Sequence, residues 1–336
     1  MLYFVLLYFY CLKYQNFFTF LVNFNTISKE KVKMYDYHGL LEILKKNNLK
    51  KSDLVSKLKI SSRTIAKISK GEKISKAVIN KLCLFLNCKE DDIFRIISKN
   101  KVLQTLRDEM ENKIRGGLYH KLQILMTYNS NHIEGNSLNE EQTRLIYETR
   151  TFVSNNSFNV DDIIETSNHF KAINYCINNA EKELNEEFVK QLHFILKSGT
   201  ESEFHNWIKI GDYKTKPNMI GDIETSNPKN VAIDIKNLLD WYNKLSVVSF
   251  ENIIDFHYKF ELIHPFQDGN GRVGRLIAFK ECLRNNIIPF IIEDKKKWFY
   301  YRGLQEYKYN PNFLIETCYD GQDTIKYLLD YFEIKY

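Results

Sequence analysis

The chain has 336 residues, 44% of them hydrophobic and 14% aromatic, with a formal net charge of +6. That length exceeds one ordinary domain and that apolar content is ample for sizeable cores, which excludes a chain too polar to fold. Six cysteines without a C-x-x-C pair or regular spacing, and eight histidines that do not cluster with them, fit free thiols in a reducing cytosol and indicate no zinc site. The first 25 residues, MLYFVLLYFYCLKYQNFFTFLVNFN, are apolar, but Lys13 interrupts the run, so neither half reaches the ~18 residues a membrane span needs. No positively charged start precedes a clean hydrophobic stretch, so a secretion signal is not expected either. The Phe, Tyr, Asn and Leu bias is what AT-rich upstream DNA gives when translated. Residues 1–33 are therefore expected to be an extension outside any domain, with Met34 the functional start and a membrane anchor the alternative. A cytoplasmic protein without a stable membrane partner follows.

The charge is unevenly divided. Residues 34–98 hold 14 Lys+Arg against 7 Asp+Glu, residues 1–33 add +3, and −4 is left for the remainder. Within the basic segment, KSDLVSKLKISSRTIAKISKGEKIS reads as a helix from Ser52 to Leu58, a short turn around Ile60, and a second helix capped by Ser61 or Ser62. The pattern resembles the helix-turn-helix of phage repressors. On that resemblance Ile65 and Ile68 face the core, and Ser62, Arg63, Thr64 and Lys67 lie on a recognition helix where duplex DNA would be met. A small basic bundle that only positions the rest of the chain is the alternative.

Further along, SNHIEGN (residues 130–136) places Glu134 before a helix-ending glycine, where a carboxylate faces the negative end of the helix dipole. GDYKTKPNMIGD (211–222) reads as a strand, a turn near Pro217 and a returning strand. Ile253, Phe256, Phe260 and Ile263 are spaced along one helix face, Pro265 closes that helix, and Leu276, Phe279 and Leu283 resume the spacing. Gly269, Gly271 and Gly274, with Glu293 about twenty residues on, spell the G-x-G-x-x-G of a dinucleotide turn. That reading needs a buried strand before the turn; here the setting is helix, loop, helix, so it is set aside.

The chemistry of this loop is legible without a family name. Backbone N–H groups around Gly269–Gly271 at a helix N-terminus make an anion-binding nest. Arg272 and Arg275, three apart in the first turn, oppose the helix dipole and so ask for an anionic partner. A salt bridge between Glu134 and Arg275 would relieve both misplaced charges. Asp268 suits a magnesium ion bridging phosphate oxygens, and His264 has a side chain suited to taking a proton near neutral pH. The set describes phosphoryl or nucleotidyl transfer to a protic acceptor.

HPFQDGNGRVGR (264–275) resembles the Fic-family signature HPF-x-[DE]-GNGR-x-x-R at every specified position. The resemblance, which covers roughly residues 105–310, implies a mainly α fold: the N-terminal helix-turn-helix bundle, then an all-helical core with a small β-hairpin flap. It divides the chain into 34–98, a linker and inhibitory helix region over 99–150, the Fic core over 151–310, and a C-terminal helical segment over 311–336. It implies transfer of AMP from ATP, with Mg2+, to a Ser, Thr or Tyr hydroxyl of a target protein. His264 would be the general base, Phe266 the loop anchor and Asp268 the magnesium ligand. Gly269, Asn270, Gly271, Arg272, Gly274 and Arg275 would bind ATP. Gly271 stands where the related Doc-type kinases carry lysine. SNHIEGN resembles the family's inhibitory motif [ST]-x-x-x-E-[GN], making Glu134 an inhibitor carried in the same chain. Lys214 stands where many relatives have arginine and receives no role. KKWFYYRGL (296–304) resembles the helix that borders the nucleotide, although its aromatic spacing suits core. The alternatives are a DNA-binding regulator whose Fic core senses nucleotide, or removal of AMP by the same site. A homo-oligomer is compatible with all of them.

Overall fold

A computed structural model describes residues 34–97, 100–153, 157–221 and 223–336. The expectations for residues 1–33 lie outside the described residues. The chain divides into two compact units, Met1–Lys99 and Asn100–Tyr336.

In the first unit, four helices α1 (His38–Lys46), α2 (Lys51–Leu58), α3 (Ser62–Ser69) and α4 (Lys76–Leu86) enclose a core of Leu40, Leu44, Leu54, Ile68, Ile79 and Leu82. Lys59 ends α2 in the left-handed conformation, and buried Ile60 carries the turn. Of the two candidate caps, Ser61 is the one that acts: its Oγ accepts the Thr64 N–H at 3.2 Å. Ile65 and Ile68 both join the core, as their spacing predicts. A two-stranded antiparallel ribbon, β1 (Met34–Asp36) with β2 (Arg95–Ile97), pairs Tyr35 with Ile96. Three-residue strands carry too little alternation to be read from sequence.

The second unit is built from ten helices among the described residues: α5 (Lys101–Glu111), α6 (Leu118–Ile133), α7 (Glu140–Thr149), α8 (Val160–Asn178), α9 (Glu186–Lys197), α10 (Val231–Asn243), α11 (Phe250–Ile263), α12 (Asn270–Asn285), α13 (Lys297–Glu306) and α14 (Asn312–Tyr331). Helix α12 is the axis. It packs against α6, α8, α9 and α11 and is buried on nearly every side from Asn270 to Leu283. A helix wrapped in this way must neutralise its charges internally. Lys280 accordingly pairs with Glu281 at 2.6 Å.

The expected hairpin exists, but its turn is displaced. Strands β3 (Met219–Ile220) and β4 (Ile223–Glu224) pair across Gly221 at φ 56°, not around Pro217. The left-handed backbone that a tight hairpin turn requires is open to glycine, whereas proline is locked at negative φ and lacks the N–H a ladder needs. The aromatic run on α13 is only partly core: Tyr300 is buried, while Trp298 and Phe299 are exposed. Among the described residues no helix is long and apolar enough to cross a membrane.

Burial holds His169, His193 and His257 in this unit at about 3. Unfolded, each titrates near 6.5, so below that pH the unfolded state takes up protons that the folded state refuses. Burial also raises Glu261 to about 8, which works in the opposite direction and offsets one histidine. Stability is therefore expected to fall by at least roughly 1.4 kcal/mol per pH unit between pH 6.5 and 5. Melting curves at the two ends of that range check it; an unchanged midpoint would show that these histidines do not remain neutral.

Candidate active site

The loop between α11 and α12 is fixed from several directions. His264 ends α11 in the left-handed conformation, φ 50°, with its N–H on the Phe260 carbonyl at 2.9 Å. Asn270 closes the loop: its Oδ1 accepts the Phe266 N–H at 2.7 Å and its Nδ2 donates to the Phe266 carbonyl at 2.8 Å. The Phe266 ring is fully buried and stacks on His193, centroids 3.8 Å apart at 5°. His193 in turn donates from Nε2 to the Asp268 carbonyl at 3.1 Å and accepts the Gly211 N–H at Nδ1, 3.0 Å, a pattern only the neutral ring can satisfy.

His264 is about one-fifth exposed. Its Nδ1 lies 3.3 Å from the Glu261 carbonyl, so a proton there is held by the backbone and Nε2 is left as the basic nitrogen. Burial lowers its pKa to about 4, and Lys214 acts in the same direction, so the ring is neutral at pH 7. Lys214 is itself buried. Its Nζ donates to Asn218 Oδ1 at 2.7 Å, Thr225 Oγ1 at 2.6 Å and the Ile263 carbonyl at 3.3 Å, which ties the hairpin to the end of α11. That anchoring was invisible in sequence because the Ile263 carbonyl it reaches lies 49 residues away.

Gly269, at φ 79°, begins α12, and no side chain caps the helix. The Gly269 N–H is taken by Asp268, while those of the first helical turn have no intrahelical partner and are of the kind that can receive an anion. Asp268 stands beside that turn with its side chain half exposed, and Oδ1 accepts the Gly269 N–H at 2.6 Å. Burial pushes this carboxyl up, but Arg272 and then Lys197 outweigh it and hold it at about 2. An ionised, half-exposed carboxylate beside an uncapped helix N-terminus has the oxygen-donor chemistry that a magnesium ion would take. Among the described residues no group of three or more potential ligands would hold a metal alone.

The two arginines part company. Arg272 is buried and pairs with Glu165 of α8, a partner that sequence reasoning missed. Arg275 is 8% exposed and reaches α6: Nε to Ser130 Oγ at 3.1 Å, Nη2 to the Ser130 carbonyl at 2.9 Å, and Nη2 to Glu134 Oε1 at 2.7 Å. The ion pair expected between the two misplaced charges thus forms. Glu134 also lies over the start of α12, since a Cβ added at Gly271 would come within 2.3 Å of its Oε1. Gly274 is turned the other way, with Glu261 Oε1 2.5 Å and His257 Nδ1 2.9 Å from where a Cβ would stand, so it serves the close approach of α12 to α11. In the first unit Ser62 and Arg63 are exposed on α3, while Thr64 and Lys67 are half-buried and the Thr64 hydroxyl turns back to Ser61 Oγ at 3.0 Å.

Residues 183–281 match the family model of the Fic/DOC family, and residues 39–99 match that of the Cro/C1-type helix-turn-helix DNA-binding domain. Protein adenylyltransferase fic-1 of Caenorhabditis elegans is 26% identical over 186 residues, which are 54% of this chain and 36% of that protein. Protein adenylyltransferase Fic of Aedes aegypti is 28% identical over 182 residues, 53% and 36% of the two chains. The match thus spans about a third of the length of these curated relatives. Among solved structures, a Fic-domain-containing signaling protein from Bacteroides thetaiotaomicron superposes with a TM-score of 0.54 at 26% identity, covering 68% of this chain and 89% of that one. Residues 134–508 of C. elegans Fic-1 superpose with a TM-score of 0.57 at 22% identity, covering 69% and 71%, a likeness of fold.

Proposed function

We propose that this chain, which carries a Fic domain and a Cro/C1-type helix-turn-helix domain, transfers AMP from ATP to a hydroxyl side chain of a target protein and is held back by its own Glu134. The observation that carries the reading is the convergence, around one fixed loop, of a neutral histidine base, an ionised acid, an uncapped helix N-terminus and an arginine already occupied by a carboxylate. His264 Nε2 takes the proton of the attacking hydroxyl as its oxygen bonds to the α-phosphorus, and pyrophosphate leaves. The N–H groups at the start of α12 hold phosphate oxygens, and Arg272 and Arg275 supply positive charge beside them. Asp268 would hold magnesium, which when bound neutralises phosphate charge. The edge of the hairpin would hold the target backbone by strand addition. Incubation of the full chain with α-labelled ATP and magnesium in cell lysate tests the reading: labelled protein bands support it, and their absence even for a Glu134→Gly variant removes it.

The exposed face of α3 favours a second activity of the same chain, binding of duplex DNA by the basic first unit. Most of that attraction would be phosphate contact, so affinity is expected to fall steeply with salt. Arg63→Ala is expected to reduce discrimination between sequences more than total affinity. Gel-shift titrations of the full chain at two salt concentrations check this. No retardation even at low salt would leave the unit a bundle that serves another partner.

A further inference from the structure

The acid proposed to hold magnesium already has a cation of its own. Lys197, at the end of α9, is 3% exposed, and its Nζ lies 2.5 Å from Asp268 Oδ2 and 2.5 Å from Glu165 Oε1. Its stem runs beneath the nest: a Cβ at Gly269 would stand 3.4 Å from Lys197 Cδ and 3.5 Å from Cγ. The second oxygen of Glu165 holds Arg272, whose Nη2 is 3.8 Å from Asp268 Oδ1. Two cations and two carboxylates thus form a closed, neutral chain under the loop.

We infer that Lys197 is a positioning residue that acts as a built-in counter-cation of Asp268 and sets the affinity of this site for a divalent ion. The inference rests on reading Asp268 as the metal-facing acid. An ammonium at hydrogen-bonding distance lowers the attraction of that carboxylate for a second cation and repels the cation directly, and Lys197 itself is buried away from the water that would screen it. Glu165 cannot relieve the competition, because it is already shared with Arg272. The site therefore holds a divalent ion weakly by itself and more firmly together with phosphate, whose charge outweighs the lysine.

The test uses Mn2+ as probe, with bound and free ion counted by electron paramagnetic resonance on the full chain without nucleotide. Lys197→Met and Lys197→Gln, which remove the charge, are expected to bind Mn2+ at least about tenfold more tightly than wild type. Lys197→Arg, which keeps the charge, should stay near wild type. The gain should disappear when Asp268→Asn is added to Lys197→Gln. Neutral variants that bind no tighter than wild type, or whose gain survives Asp268→Asn, overturn the inference; where the methionine variant does not fold, the glutamine variant, which can still donate to Glu165, decides. The underlying reading fails differently: labelling from ATP would then be indifferent to Asp268→Asn and to chelation of the divalent ion.

Discussion

Replacing His264 by alanine is expected to cost transfer about 10²- to 10⁴-fold, with ATP still bound. The imidazole stands at the head of the loop and is neutral at pH 7, and its Nδ1 is occupied by the Glu261 carbonyl, so the loss is of one nitrogen with one task. Binding should survive, because the nest and both arginines belong to α12 and its partners rather than to the histidine. The pH profile supplies a second check. With a pKa of about 4, the base is lost only as pH falls through that value, so the acid limb of the rate is expected below pH 5 rather than near 6.5. Label transfer from α-labelled ATP by the wild-type and His264→Ala chains measures the first effect. An unchanged rate in the variant would remove the proposed mechanism.

Glu134→Gly is expected to raise labelling of the chain itself and of its targets, whereas Arg275→Ala is not. One guanidinium serves both the Glu134 carboxylate and, in the proposed complex, a phosphate of ATP. While Glu134 holds it and overhangs Gly271, bound ATP is expected to lie with its α-phosphate badly placed, which costs rate more than affinity. A partly exposed pair of this kind contributes up to roughly 4 kcal/mol in Coulomb terms and less after desolvation. That is enough to hold a resting enzyme largely silent and weak enough for a partner to release. On the proposed function Arg275→Ala removes the partner of Glu134 and that of the phosphate together, so it should not activate. Label incorporated at saturating nucleotide compares the three chains; equal labelling in wild type and Glu134→Gly would reduce SNHIEGN to an ordinary helix end.

The same residues show how far sequence reached. HPFQDGNGRVGR and the spacing on either side of it determined the helices α11 and α12 and the loop between them, because each is a local consequence of periodicity, proline and glycine within about thirty residues. In the first unit the turn at Ile60 was legible for the same reason, and the cap of α3 to within two adjacent serines. Even the pairing of Glu134 with Arg275 could be read, since each charge is disfavoured by its own helix and that penalty is local.

What only the tertiary structure decided is which groups meet from distant segments. Lys197, Glu165 and His193 carry no motif; α8 and α9 bring them under the loop, where Lys197 grips Asp268, Glu165 binds Arg272 and His193 stacks on Phe266. Gly274 fits a phosphate motif in sequence and is turned toward α11 in the fold. The hairpin turn lies at Gly221 rather than Pro217: Lys214 and Asn218 are fastened to Ile263, Pro265 and Phe266, and the reversal falls to a glycine free to take a positive φ. Local pattern fixes where an element starts and which face is apolar. The partner of a buried charge depends on packing between elements far apart in the chain, and no spacing records it.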